Sequence, residues 1–290
     1  MKPTLVPLAT AVPPPAVSTE RVVNAPSSGW HVPDLAAVWH RRELLYYLVW
    51  RDIKVRYKQT VIGAAWAVLQ PVLTMVVFSL VFGRVAGLGS DGVPYPIFAF
   101  VALVPWTFFA NAMNQAASSL VAHERVLTKV WFPRLVVPVA AVLGVLVDLV
   151  LAFGVLLVMM GGYRIAPSPA ILAIPFFLLL ATAAALGIGL WLCALNVRYR
   201  DVRYVLPFLT QIWLFATPVA YSATVVPEPW RALYGMNPMV GVIDGFRWAL
   251  LGTSSVPTAS LLTSTAAAAA LLVSGGLYFR RMEDTFADEV

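Results

Sequence analysis

Along this chain, apolar residues gather into long runs that short polar or charged stretches interrupt. Six runs, near 62–83, 96–120, 136–160, 170–195, 205–222 and 261–279, are long and apolar enough to cross about 30 Å of hydrocarbon. The pattern predicts an all-α integral membrane protein with six transmembrane helices. A different pattern precedes the first run. From the Asp34 cap to Tyr57, within a segment bounded at 34–60, Leu45, Val49, Ile53 and Tyr57 recur at i, i+4 spacing, with Trp39, Tyr46 and Trp50 nearby. Arg41, Arg42, Arg51, Lys54 and Arg56 supply the polar side. Such a helix is too charged to cross and is suited to lie at the membrane–water boundary. It leads directly into the first span. Its basic residues either only orient that span or take an active part.

Polar residues inside the runs refine this picture. Asn111, Asn114, Gln115, Ser118 and Ser119 form a stripe on one face at the end of the second run. Polar groups in hydrocarbon need partners, so the stripe faces another helix or a wet groove. A short polar helix is predicted over 123–131, stopped by Phe132-Pro133, as a docking element for another protein. His123 has no second ligand nearby to make a metal site. Asp148 lies near the centre of the third run, where an ionisable group is costly and turns inward. The nearest base on the same helix, Arg134, is about 21 Å away at helical rise. A partner must come from another segment, unless the acid is protonated. Both a structural hydrogen bond and transport chemistry fit it. Pro71, Pro207 and Pro218 free the carbonyls of Ala67, Arg203 and Leu214, so the first and fifth spans should bend. Residues 223–257 predict two short helices broken at Gly235–Pro238, a re-entrant pair in which Asp244 and Arg247 are spaced to form an ion pair.

Composition and charge bear on topology. Sixty per cent of the 290 residues are hydrophobic and 12% charged, with a mean hydropathy of +0.80, far from soluble averages. The net charge of +6 does not read as nucleic-acid binding, because the basic residues sort by side. Arg84, Arg164, Arg231 and Arg247 are the four that fall on one side of a six-span chain, and the other 16 of the 20 Lys and Arg fall on the other. That asymmetry predicts that both termini are cytoplasmic. Cys193 is the single cysteine, so no disulfide framework exists, and a small buried apolar role suits it. Residues 1–33, with Pro3, Pro7, Pro13, Pro14, Pro15 and Pro26, read as a disordered cytoplasmic tail rather than a signal peptide. Residues 281–290 read as a second cytoplasmic tail.

The sequence holds no Gly-x-x-x-x-Gly-Lys-Ser/Thr loop; none of Lys2, Lys54, Lys58 and Lys129 follows a glycine. Paired histidines, acidic metal clusters and nucleophile elbows are likewise missing from it. Transport driven by energy from elsewhere fits better than a membrane glycosyltransferase or lipid-modifying enzyme, or a structural scaffold.

Four stretches together resemble the permease subunit of polysaccharide ABC exporters, of the type-2 ABC permease fold. They are RDIKVRYKQTVIGAAWAVLQP, KVWFPRL with the later VDLV, NVRYRDVRYVLPFL, and NPMVGVIDGFRWALLG, in order from about Leu44 to Gly252. The family moves lipid-linked O-antigen, capsule or teichoic-acid polymers. The resemblance implies a homodimer in the bacterial inner membrane, with two separate ABC ATPase subunits. ATP and Mg2+ would bind those partners, and this chain would bind no cofactor. The cargo would be an undecaprenyl-type lipid-linked polysaccharide. Export of a small amphiphile or drug by the same architecture is the alternative.

On this resemblance the permease domain spans 61–280. Arg51, Lys54 and Arg56 sit on an interface helix, and His123, Glu124, Arg125 and Lys129 on a coupling helix seated in an ATPase groove. Residues 223–257, with Asp244 and Arg247, become external gate helices. The first and fifth spans would line a channel. Trp66, Gln70, Phe78, Gln211, Trp213, Phe215 and Tyr221 on those spans offer aromatic faces for sugar C–H groups and amides for hydroxyls. Anchoring in lipid is the other reading of each aromatic residue.

Overall fold

The computed structural model describes residues 35–58, 63, 65–124, 132–252 and 258–283. Every regular element among them is helical. Leu35–His40 (α1) and Arg42–Lys58 (α2) form the segment before the first span, kinked at Arg41. Then come Ala65–Phe78 (α3), Tyr95–Ala122 (α4), Val136–Gly162 (α5) and Ile174–Arg198 (α6). Val202–Phe215 (α7), Glu228–Tyr234 (α8), Pro238–Leu251 (α9) and Thr258–Met282 (α10) complete the chain. Five helical segments are long and apolar enough to cross a membrane: Ala65–Val85, Tyr95–Ala122, Val136–Gly162, Pro169–Arg198 and Ser260–Met282.

The fifth run behaves differently from its prediction. Its helix, α7, covers Val202–Phe215 rather than 205–222. Fourteen residues make about 21 Å of helix, short of the hydrocarbon thickness. Pro207 lies inside the helix, as Pro71 does in α3. Pro218 lies beyond the helix end instead of bending it. From Ala216 the chain runs through turns in which residues 217–220 are buried. Side chains form hydrogen bonds there. The Thr217 hydroxyl donates to the Trp213 carbonyl at 2.8 Å, and the Asn237 amide donates to Thr217 at 2.9 Å.

The core centres on α4, most of whose residues are buried. It packs against α3, α5, α6, α7 and α9. Small residues let backbones approach where α6 meets α10: a Cβ on Gly187 would lie 2.5 Å from the Leu271 carbonyl carbon, and one on Gly275 would lie 2.1 Å from the Gly187 oxygen. Trp191 stacks on Tyr278 beside this contact, with centroids 4.1 Å apart. The first span continues beyond α3 as a π-helix over Ser79–Val85. Gly83 lies there against the Tyr95 ring, 2.9 Å from where its Cβ would be.

The break expected near Gly235–Pro238 is present, between α8 and α9. Local chemistry sets α9 sharply: the Asn237 side chain accepts from the Met239 amide, Pro238 occupies the first turn, and Gly252 ends the helix at φ 66°. A second apolar cluster joins α2 to the far end of the bundle. Leu48 inserts among Leu135, Val136, Ala140 and Phe279, and α2 runs along α5.

Candidate functional site

Two polar clusters lie at opposite ends of α4. The first is where α2 meets the ends of α4 and α5. Arg51 donates to Asp52 at 2.9 Å and also contacts His123 Nε2. His123 Nδ1 donates to the Ser119 carbonyl at 2.6 Å. Asp52 lies 3.7 Å from the same ring. Burial pushes the Asp52 carboxyl up, but hydrogen bonds and charge from His123 and Arg51 outweigh it and hold it below its usual value. One turn further along α2, Arg56 donates to Asp148 Oδ2 at 2.5 Å, and the Tyr57 hydroxyl donates to Asp148 Oδ1. The acid in the third span therefore finds its partner on another segment.

Asp148 lies midway along α5. It meets the end of α2 and stands level with Gln70, only a turn or so into α3. A cavity of about 700 Å3 opens between α2 and α4, lined among others by Arg51, Asp52, Arg56, Ser118, His123 and Glu124. The polar stripe of α4 is thus divided. Gln115 and Ser118 face this cavity. Asn114 donates to the Ala110 carbonyl at 2.8 Å and to Thr210 of α7 at 3.3 Å. Ser119 bonds the Ala116 carbonyl and touches the buried Cys193.

The second cluster surrounds Arg247 on α9. Its guanidinium donates to the carbonyls of Val219 at 2.9 Å and Tyr221 at 3.1 Å, and it lies 3.7 Å over the Phe98 ring. The spacing with Asp244 does not produce an ion pair; Arg247 is instead spent on the broken end of the fifth run. Tyr95 adds a bond to the Ala220 carbonyl at 2.6 Å. The Tyr221 and Tyr234 hydroxyls meet at 2.8 Å, joining this turn to α8. Burial is the main cause that pushes the Tyr234 phenol up, and the bond to Tyr221 adds to it. Nothing in the sequence pattern pointed to Arg247 as a backbone cap, because its partners are main-chain carbonyls far away in sequence.

The other expected site residues are scattered. Trp66 and Phe215 are about half exposed, and Gln70 and Gln211 are exposed on α3 and α7. Trp213 is half-buried with its ring edge-on to Phe109 at 5.2 Å. Phe78 is buried in the main core against Phe82, so it has no open ring face to offer a channel. Tyr221 is partly buried, with its hydroxyl engaged as above. Lys54 is exposed, its ammonium 5.1 Å from the Trp50 ring. Arg125, Lys129 and most of the expected helix 123–131 lie outside the described residues, as do 1–33 and 284–290. Among the described residues, no group of three His, Cys, Asp or Glu could hold a metal ion.

Comparison with known proteins places this arrangement in a family. The O-antigen export system permease protein RfbA of Myxococcus xanthus is 32% identical over 257 residues, covering 87% of this chain and 97% of its own. The protein of the same name from Klebsiella pneumoniae is 25% identical, with 85% and 94% covered. The polysialic acid transport protein KpsM of Escherichia coli is 21% identical, with 69% and 78% covered. The family model for the ABC-2 type transporter matches residues 43–251, from the start of α2 to the last turn of α9. This multi-pass, all-α membrane protein belongs to the ABC-2 type transporter family.

Proposed function

We propose that the chain is the membrane-spanning subunit of an ATP-driven exporter. It moves lipid-linked polysaccharide from the cytoplasmic to the external side of a bacterial inner membrane. The observation that carries this reading is end-to-end similarity to a permease named for O-antigen export, over 97% of that relative. The chain works as a homodimer with two ABC ATPase subunits, which bind the ATP and Mg2+; it binds no cofactor itself. Α7 and the turn at 216–222 together serve as the sixth crossing, so both termini are cytoplasmic, in keeping with the sorting of Lys and Arg. The α2 cluster then faces the ATPase, and α8 and α9 lie at the external mouth. The unpartnered apolar faces of α3 and α7 suit lipid or a second copy, with Trp66 and Phe215 among their exposed rings.

Cells lacking their own permease test this when supplied with the chain and its cognate ATPase. Surface polysaccharide, detected per unit of permease in the membrane, should return only when both subunits are present and the ATPase is active. The purified chain alone should hydrolyse no ATP. Robust hydrolysis by the partner-free chain, or no surface polymer from a fully expressed pair, overturns the reading.

A further inference from the structure

Asp148 stands where three segments converge. Both of its carboxylate oxygens are taken by the last turn of α2, through Arg56 at 2.5 Å and through the Tyr57 hydroxyl. The Asp148 side chain is only 16% exposed and that of Arg56 25%. On its other side is a cavity of about 20 Å3, shared with Gln70 of α3 and with Thr107 and Asn111 of α4. That is room for about one water among several polar groups. Gln70 directly precedes Pro71, the proline inside the helix of the first span. The carboxylate therefore touches the end of α2 and adjoins the proline-containing part of the first span.

The attachments of α2 are unequal. Along α5 it is held by apolar packing at Leu48 and by the Asp148 tie. Toward α4 there is open space of about 700 Å3, crossed at its edge by the Arg51, Asp52 and His123 contacts. Displacing the His123 end of α4 can thus change the α2–α4 gap while α2 keeps its place on α5. A charge pair this sheltered resists being broken, since separating it leaves a carboxylate and a guanidinium without compensation.

We propose that Asp148 is a positioning residue that fixes the end of α2 to α5 beside Gln70 and Pro71, so that α2, α5 and the start of the first span keep their mutual positions when the His123 end of α4 is displaced. This assignment rests on the export function proposed above. Asp148 touches neither cargo nor nucleotide; it acts through Arg56 and Tyr57.

The test uses the full transporter, permease with its ATPase, in native membranes, and reads polysaccharide exported per ATP hydrolysed. D148N keeps the size of the side chain and removes its charge; it should lower that ratio at least five-fold, with D148E recovering part of it. R56Q reads the same tie from the α2 side should D148N lower the permease level. In a C193S background, R56C/D148C should be equally impaired and should regain export when a short bifunctional thiol reagent rejoins the two positions. A residue that merely helps the bundle fold would not yield that rescue. No export by the wild-type complex overturns the function itself. With wild-type export intact, a D148N or R56Q ratio equal to wild type, or a cross-link that fails to restore export, overturns the role of Asp148.

Discussion

Arg247 shows how one side chain can cap the turn that follows a helix. A buried guanidinium is costly unless its donors are used and its charge is met. Here two donors cap the carbonyls of Val219 and Tyr221, and the Phe98 ring covers the cationic face. Arg247→Ala strips both carbonyls of their donor, and leaving them unsatisfied should cost about 1–3 kcal/mol of stability. Arg247→Lys keeps the charge but loses the fork, so it should recover only part of the loss. Thermal unfolding of the purified variants in detergent checks both. The aromatic residues of α7 divide along similar lines. Phe215 is half exposed, whereas the Trp213 ring is packed on Phe109. Phe215→Ala should therefore lower polysaccharide export with little change in permease level. Trp213→Ala should lower both, because it also opens a cavity. Export measured against permease in the membrane separates the two; unchanged export from Phe215→Ala places that ring on the lipid side.

At the scale of elements, helix length and helix contact have different origins. Composition made the fifth run look like an ordinary span, but α7 stops at Phe215 and the chain goes on in turns. Pro218 thereby becomes a residue of the turn rather than a kink. The α6–α10 contact depends instead on the absence of side chains. Gly187 and Gly275 leave the two backbones close enough that any Cβ would collide with main-chain atoms, which cannot rotate away. Gly187→Leu should push these helices apart, unstacking Trp191 from Tyr278 and lowering the permease level several-fold. Gly144 of α5, where a Cβ meets nothing within 4 Å, should accept Ala with no such effect. Membrane abundance of the two variants, side by side, is the measurement.

For the molecule as a whole, one fully packed helix organises the rest. Α4 is the element on which five other helices meet, α3, α5, α6, α7 and α9, while α3 and α7 keep broad apolar faces outward. A hydrophobic surface of that kind is tolerable only in lipid or under another subunit. The two polar clusters sit at the two ends of α4, so the molecule has a charged end built around α2 and a capped end built around α9. Such a division suits a machine driven from one side that opens on the other.

Much of this was legible in the residue order. Runs of apolar residues are a local property, so five long spans, the helical segment before them and the two helices around Gly235–Pro238 could all be read directly. The need of Asp148 for a partner was also visible, because hydrocarbon penalises a lone charge whatever the fold. Which residue answers that need was not visible. Arg56 and Tyr57 are about 90 positions away and reach Asp148 only because α2 lies along α5. The same holds for Arg247, whose spacing suggested Asp244 while the fold offered it two carbonyls and a ring. Spacing along a helix says which groups share a face, and packing between helices says what that face meets. The sequence by itself therefore determined the solvent, the helices and the groups that required partners. The tertiary structure alone decided who the partners are, because those contacts depend on how helices distant in sequence lie against one another.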